Sequence, residues 1–352
     1  MPDTEPTIKA TNFLLGTYTN ENSKGIYRYA LQTDGSLDSV GLVVESIQPS
    51  FLAYTKDRDY VLAVNEVNDQ DGKGTVESFA VKGDSLTQIN KQSSGGAHPC
   101  HINVDARGYV LTSNYSGGNI GMHQLATDGQ LSELLFVEEH NKEKDAKAHA
   151  HSAWFYGDED AVVSVDLGTN ELWFSEIDKA TNTLKAQDPA RLFIKEGAGP
   201  RHLTFHPNGQ WAYVINELNS TVSLISVADP ENNREWEQIA AYSTLPEGYS
   251  EDSFCADIHI SQDGKFVYAS NRGHNSLAIF GVNPNDGTLA LLGHESIRGD
   301  WPRNFALSPD DAFVIVANQR SNNLVAFKRD TETGLLTFTS EINAPTPTCI
   351  LF

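Results

Sequence analysis

Gly197–Asn219 reads GAGPRHLTFHPNGQWAYVINELN. Two alternating apolar segments flank a His-Pro-Asn-Gly turn, the pattern of a β-hairpin. Pro-Arg-His stands before the first strand, and Asn-Glu stands at the end of the second. In an antiparallel pair the start of one strand and the end of the next share an edge. Arg201 and Glu217 are therefore expected to be neighbours.

The same hairpin recurs along the chain with other residues at those two places. Its starts fall at Pro49, Pro99, Ala150, Pro200, Cys255 and Pro302, and a last one at Pro347 is cut short after TCILF. An Asn or Asp follows each complete start at the same offset or one less: Asn65, Asn114, Asp166, Asn216, Asn271 and Asn318. Third apolar segments such as TVSLISV and SLAIFGV follow, then turns such as TDGSL, TDGQL and NDGTL. The patterning is period two, cut by turn residues, and no long amphipathic helix is evident. The N-terminal segments FLLGTYT, GIYRYAL and LVVES supply what the truncated last copy lacks. Units of about 50 residues with four strands each are the requirement of a propeller blade. The expected fold is all-β: one seven-bladed β-propeller domain over residues 1–352, closed by the C-terminal strand joining the N-terminal blade. An open β-solenoid would not need its tail to complete its head, and a β-sandwich would not give seven equal copies.

Three longer insertions are read as loops: VNDQDGKG after Glu66, EEHNKEKDAKAHA before His151, and a stretch from about Asp229 to Ser253. The repeated Asn is read as structural, bonding nearby backbone in a turn.

Composition narrows the partners. The chain has 352 residues, 39% of them hydrophobic, and a formal net charge of −22. That charge repels nucleic acid and anionic membrane surfaces. Three widely spaced cysteines without a CxxC suggest free thiols in a reducing compartment. The N-terminus lacks signal-peptide regions, and no apolar run reaches a membrane span. The expectation is a cytoplasmic protein, a monomer or weak homo-oligomer, acting on a small anionic molecule.

A propeller turns the repeat into a map of one rim. The position after each hairpin start holds Ser50, Cys100, His151, Arg201, Ala256, Arg303 and Thr348; the next holds Phe51, His101, Ser152, His202, Asp257, Asn304 and Cys349. The position after the Asn or Asp holds Glu66, Tyr115, Leu167, Glu217, Arg272 and Gln319, with Tyr18 as the N-terminal member. If first strands line the channel, these unlike side chains converge at one mouth. Arg201, Arg272 and Arg303 form a cationic patch suited to carboxylate or phosphate. Glu217 beside Arg201 stays ionised and can activate or orient water, and His151 can exchange a proton near neutral pH. The set fits chemistry on an anionic acyl or lactone substrate. The alternative for Arg201 and Glu217 is an ion pair that only fixes blade packing. Cys100 between His98 and His101 suggests a weaker Cys–His nucleophile. His149, His151, His202 and His206 do not fix a third zinc ligand, so no metal and no cofactor is expected. His140, Lys142, Lys144 and Lys147 offer a loop that reaches a phosphate or is merely solvated.

At these residues the chain resembles the bacterial propeller-type 6-phosphogluconolactonases, a family that also holds fungal carboxymuconate-lactonizing enzymes. GPRH followed by NEL, HSAWF, the NRGHN copy and WPRNFALSPD carry the resemblance, which spans the whole chain. It implies a hydrolase with an active site at one channel mouth built from His151, Arg201, Glu217 and Arg272. Substrate contacts are expected from Arg303, Gln319, Glu66, Tyr115 and His202. The favoured reaction is hydrolysis of 6-phosphogluconolactone, with Glu217 activating water, His151 protonating the ring oxygen, and Arg303 and the lysine loop holding phosphate. A muconate-type cycloisomerase and a non-catalytic scaffold are the alternatives.

Overall fold

Twenty-eight strands form seven four-stranded antiparallel sheets in the computed structural model. It describes residues 10–69, 71–141, 147–157, 160–229, 231 and 235–352. Six blades are continuous in sequence: blade 2 (52–93), blade 3 (99–139), blade 4 (150–193), blade 5 (200–243), blade 6 (254–296) and blade 7 (302–343). Blade 1 is composite. Pro347–Leu351 pairs with Thr11–Thr17, which leads to Gly25–Leu31 and Leu37–Glu45. First strands touch one another around a closed ring, and fourth strands lie outermost with exposed residues alternating along them.

The apolar core is not central. It is divided into seven wedges, one between each pair of adjacent blades. The wedge between blades 6 and 7, for example, buries Tyr268, Ile279, Phe305, Val316 and Phe327. Each side chain removed from water this way contributes about 1.5–3 kcal/mol before entropy is charged. Turns from one blade also lodge against aromatic rings of the next. Gly334 has φ +73°, and a Cβ there would lie 2.3 Å from the Phe266 ring, so a side chain is barred on both counts. Tyr268 then donates its hydroxyl to the Gly334 carbonyl at 2.8 Å.

The recurring Asn joins blades rather than turning its own chain. Its amide donates to the segment arriving from the blade before: Asn65 to Ile47 O at 2.8 Å, Asn114 to Ser94 O at 2.9 Å, Asn271 to Thr244 O at 2.8 Å and Asn318 to Ile297 O at 3.0 Å. Asn216 instead donates to Thr221 and Ser223.

Every first strand but that of blade 2 opens with an irregularity that bears on where the chemistry points. Pro200 pairs with Asn216 and His202 with Ile215, so Arg201 is an extra residue outside the ladder. Cys100, His151, Arg303 and Thr348 are extra in the same way, and blade 6 gains one residue between Cys255 and Ile258. A β-bulge frees its residue from cross-strand pairing and re-aims the side chain. Six blades thus free a residue at this position from the ladder, and Arg201 uses that freedom to reach Glu217.

One insertion was not simply a loop. Glu237–Ser243 lies inside the third and is the fourth strand of blade 5. Its alternation, EQIAAYS, is half-exposed and lacks a strong apolar stripe, so period two is faint there. Glu138 and Glu139, at the head of the second insertion, likewise end the fourth strand of blade 3.

Candidate active site

The mouth has two levels. The bulge residues His151 and Arg201 lie deep, 4% and 2% exposed, and Arg272 is 5% exposed. The residues that follow the strand-end Asn, including Glu66, Tyr115, Glu217 and Gln319, are half-buried and reach the opening.

Glu217 is the hinge of the charged group. Its Oε2 lies 3.1 Å from Arg201 Nε and 2.8 Å from Arg272 Nη2. The neighbourhood expected from hairpin geometry is therefore real, and it includes a second arginine from the next blade. Arg272 is further fixed by the Cys255 and Phe254 carbonyls, at 2.8 and 3.2 Å, and lies over Trp301. Arg201 donates to the Ala256 carbonyl and rests against the His202 ring at 3.4 Å. Burial pulls the Arg272 pKa down to about 10, with Glu217 opposing the fall. Burial and Arg303 lower that of Arg201. Both guanidinium groups stay charged at neutral pH.

His151 is placed at this mouth but does not titrate near neutrality. Burial, then the charges of Arg201, His202 and Arg303, hold its pKa well below the usual value. The imidazole is neutral at pH 7. Its Nδ1 faces Cys100 Sγ at 3.7 Å, and its ring stands edge-on to His202 and Tyr115, with centroids 5.2 and 5.6 Å away. Tyr115 also stacks on His149 at 4.4 Å. His149 lies just before the strand and His151 is its bulge residue, and both rings meet Tyr115.

Below lies a floor of rings: His101 packs on Phe51 at 4.6 Å, on Trp154 at 4.8 Å and on His202 at 5.5 Å. Burial, then His202, keeps His101 neutral. Burial and Arg201 push His202 down to about 4, against the pull of Asp257. His202 is a wall residue whose Nδ1 lies 2.9 Å from Asp257 Oδ1; Asp257 Oδ2 meets His259 Nε2 at 3.0 Å and accepts from Asn304. Asp257 stood in the rim map without a role. The D-x-H spacing of Asp257 and His259 was the available signal, since residues two apart share a strand face.

Opposite Glu217, Glu66 Oε2 accepts the Tyr18 hydroxyl at 2.8 Å and lies 3.5 Å from Arg303 Nη2. Arg303 also faces the Tyr18 ring, 5.0 Å away. Burial works against its charge, but Tyr18 and Glu66 more than offset it and raise its pKa. Gln319 is anchored through its backbone to Trp301 at 3.0 Å.

Two weaker expectations are corrected. Cys100 is a buried thiol whose pKa burial drives upward, so it is not a nucleophile. His140 does not reach toward a phosphate. It is 2% exposed, bonded to Asp166 at 2.8 Å and stacked on Trp173 at 4.1 Å. With Ser164 Oγ 3.4 Å from its Nε2, His140 has the connectivity of a hydrolase triad, but Ser164 and Asp166 are fully buried. Lys142 and Lys144 lie outside the described residues, and Lys147 is exposed.

A 1060 Å³ cavity occupies the other end of the channel, lined by Tyr54, Asn103, Tyr156, Phe205 and Gln210 among others. It carries none of the converging charges, which makes the charged mouth the candidate site.

Comparison with known proteins agrees with this fold. Residues 12–352 match the family model described as lactonase, 7-bladed beta-propeller. A 6-phosphogluconolactonase of Bacillus subtilis is 35% identical over 347 residues, covering 96% of this chain and 97% of that protein. One from Formosa agariphila is 35% identical, covering 92% and 93%. The structure of a periplasmic gluconolactonase from Pseudomonas aeruginosa superposes with a TM-score of 0.90 at 30% identity, covering 97% and 98%. The chain belongs to the seven-bladed β-propeller lactonase family.

Proposed function

We propose that this protein hydrolyses a sugar-acid δ-lactone, 6-phosphogluconolactone, to the open-chain acid. The observation that carries the reading is the pairing of two buried guanidinium groups on Glu217 with a neutral imidazole at the same mouth. Ester cleavage by water needs three things: charge to receive the carbonyl oxygen as it becomes an oxyanion, a base for the water, and an acid for the leaving ring oxygen. Arg201 and Arg272 supply the first. Removing one such donor typically costs about 10²–10³ in rate.

The neutral state of His151 favours exchanging the two proton roles expected from sequence. A neutral imidazole accepts the proton of the attacking water. The imidazolium so formed is a strong acid, because the site disfavours its charge, and it returns the proton to the ring oxygen as the C–O bond breaks. Glu217 has Oε2 between two guanidinium groups and is assigned the holding of those groups and of the water. The names of the curated relatives support the phosphorylated substrate. Glu66, 3.5 Å from Arg303, would repel a dianionic phosphate there, so the phosphate-holding role expected of Arg303 is not carried forward. The buried free thiols Cys100, Cys255 and Cys349 favour a reducing, cytoplasmic setting.

The test is proton release from 6-phosphogluconolactone in a pH-stat, with spontaneous hydrolysis subtracted. His151→Gln is expected to lower kcat by about 10²–10⁴. A wild-type rate in that variant, or a wild-type protein no faster than the blank, rejects the proposal.

A further inference from the structure

The mouth carries the same carboxylate twice. Glu66 and Glu217 each follow the strand-end Asn, in blades 2 and 5, so the repeat places them at equivalent positions on the rim. Their neighbours differ. Glu217 meets two deep arginines and shares its mouth with His151. Glu66 meets one arginine, Arg303, and a phenol, Tyr18, both contacting Oε2. The side chains of Glu66 and Arg303 are 16% and 15% exposed, so both present polar atoms to the opening. Arg303 also acts electrostatically on His151, Arg201 and Arg272, which places the pair on the wall of the same pocket.

An acceptor-only carboxylate beside a donor-only guanidinium suits a particular ligand group. A hydroxyl donates to one and accepts from the other. A carboxylate or phosphate satisfies Arg303 but is repelled by Glu66. We infer that Glu66 and Arg303 form a hydroxyl-reading subsite that selects polyhydroxylated lactones, gripping ring hydroxyls while the carbonyl faces Arg201 and Arg272. This rests on the lactone reading above and adds the feature by which the lactone is chosen. It also separates the two equivalent glutamates by task, one recognising and one serving the reaction. A pocket built to bond a hydroxyl discriminates strongly against the analogue that lacks it.

The experiment compares kcat/KM for D-glucono-δ-lactone and for δ-valerolactone, which has the same ring without hydroxyls, after subtracting spontaneous hydrolysis. The readout is their ratio, which partial misfolding leaves unchanged. In Glu66→Leu the ratio is expected to fall by about 10- to 100-fold, the worth of a hydrogen bond to a charged group. Arg303→Gln is expected to move it in the same direction. A ratio unchanged in both variants overturns the inference, whether the two activities fall together or neither falls. If the wild type turns over 6-phosphogluconolactone but not D-glucono-δ-lactone, ring hydroxyls do not suffice for selection and the inference fails alone, as it does when the ratio is unmoved; if the wild type turns over none of the three, the lactone reading fails and takes this inference with it.

Discussion

At the scale of single residues, His151 shows how the surroundings choose the chemistry. An ordinary histidine changes charge near pH 6.5. His151 is neutral well below that, because burial and Arg201 penalise its charged form. The neutral ring is the working form under the mechanism proposed, so kcat/KM is expected to stay level as pH falls from 8 to 6. It should drop only on approach to the lowered pKa. A pH–rate profile with an inflection at 6.5 would contradict this. The contact of Arg201 with Glu217 was legible in the sequence, since hairpin geometry alone brings them together. The neutrality of His151 and the Asp257 bridge were not. Both depend on groups delivered by neighbouring blades, and one-dimensional spacing does not report how much water those blades exclude.

At the scale of elements, the blades are joined by small polar devices as well as by apolar wedges. Asn271 is the fullest example. Its amide donates to Thr244 O, and its oxygen receives the Thr244 hydroxyl at 2.7 Å, all fully buried. Asn271→Ala strands those groups without water and is expected to destabilise the fold by about 2–3 kcal/mol. Urea unfolding checks this; a loss under about 0.5 kcal/mol, the level of an ordinary surface change, would show the joint to be dispensable. The inner three strands of each blade were legible because their apolar alternation is strong. The outer strand Glu237–Ser243 was hidden, since an edge exposed on one face needs little apolar character and its flanks are rich in turn residues.

At the scale of the whole molecule, the ring buries imidazoles kept uncharged, three on first strands around the channel and one, His123, on the third strand of blade 3. His101 and His151 have pKa values well below the usual, and His123 and His202 are pushed down to about 4, each chiefly by burial. Below pH 6.5 the unfolded chain takes up protons at these positions while the folded chain does not, so stability falls as pH drops from 6.5 toward 4. His140 and His259, raised by their carboxylate partners despite burial, act in the opposite sense: their contribution is full below 6.5 and lost as pH rises through their raised pKa values. The lowered imidazoles, His274 among them, outnumber the raised ones and set the sign. The urea midpoint is expected to be lower at pH 5 than at pH 7, and an equal or higher midpoint would count against the buried neutral imidazoles. Closure of the ring was legible because the truncated last repeat and the incomplete first one complement each other. The bulge that opens six of the first strands has a consequence of another kind. Its residue takes no part in ladder pairing, so the ladder itself does not dictate which side chain stands there. Ala256 and Thr348 occupy this position in blades 6 and 1 with small, unreactive side chains. Both are buried, so the reactive face of the ring is confined to the blades that carry His151, Arg201 and Arg303 there.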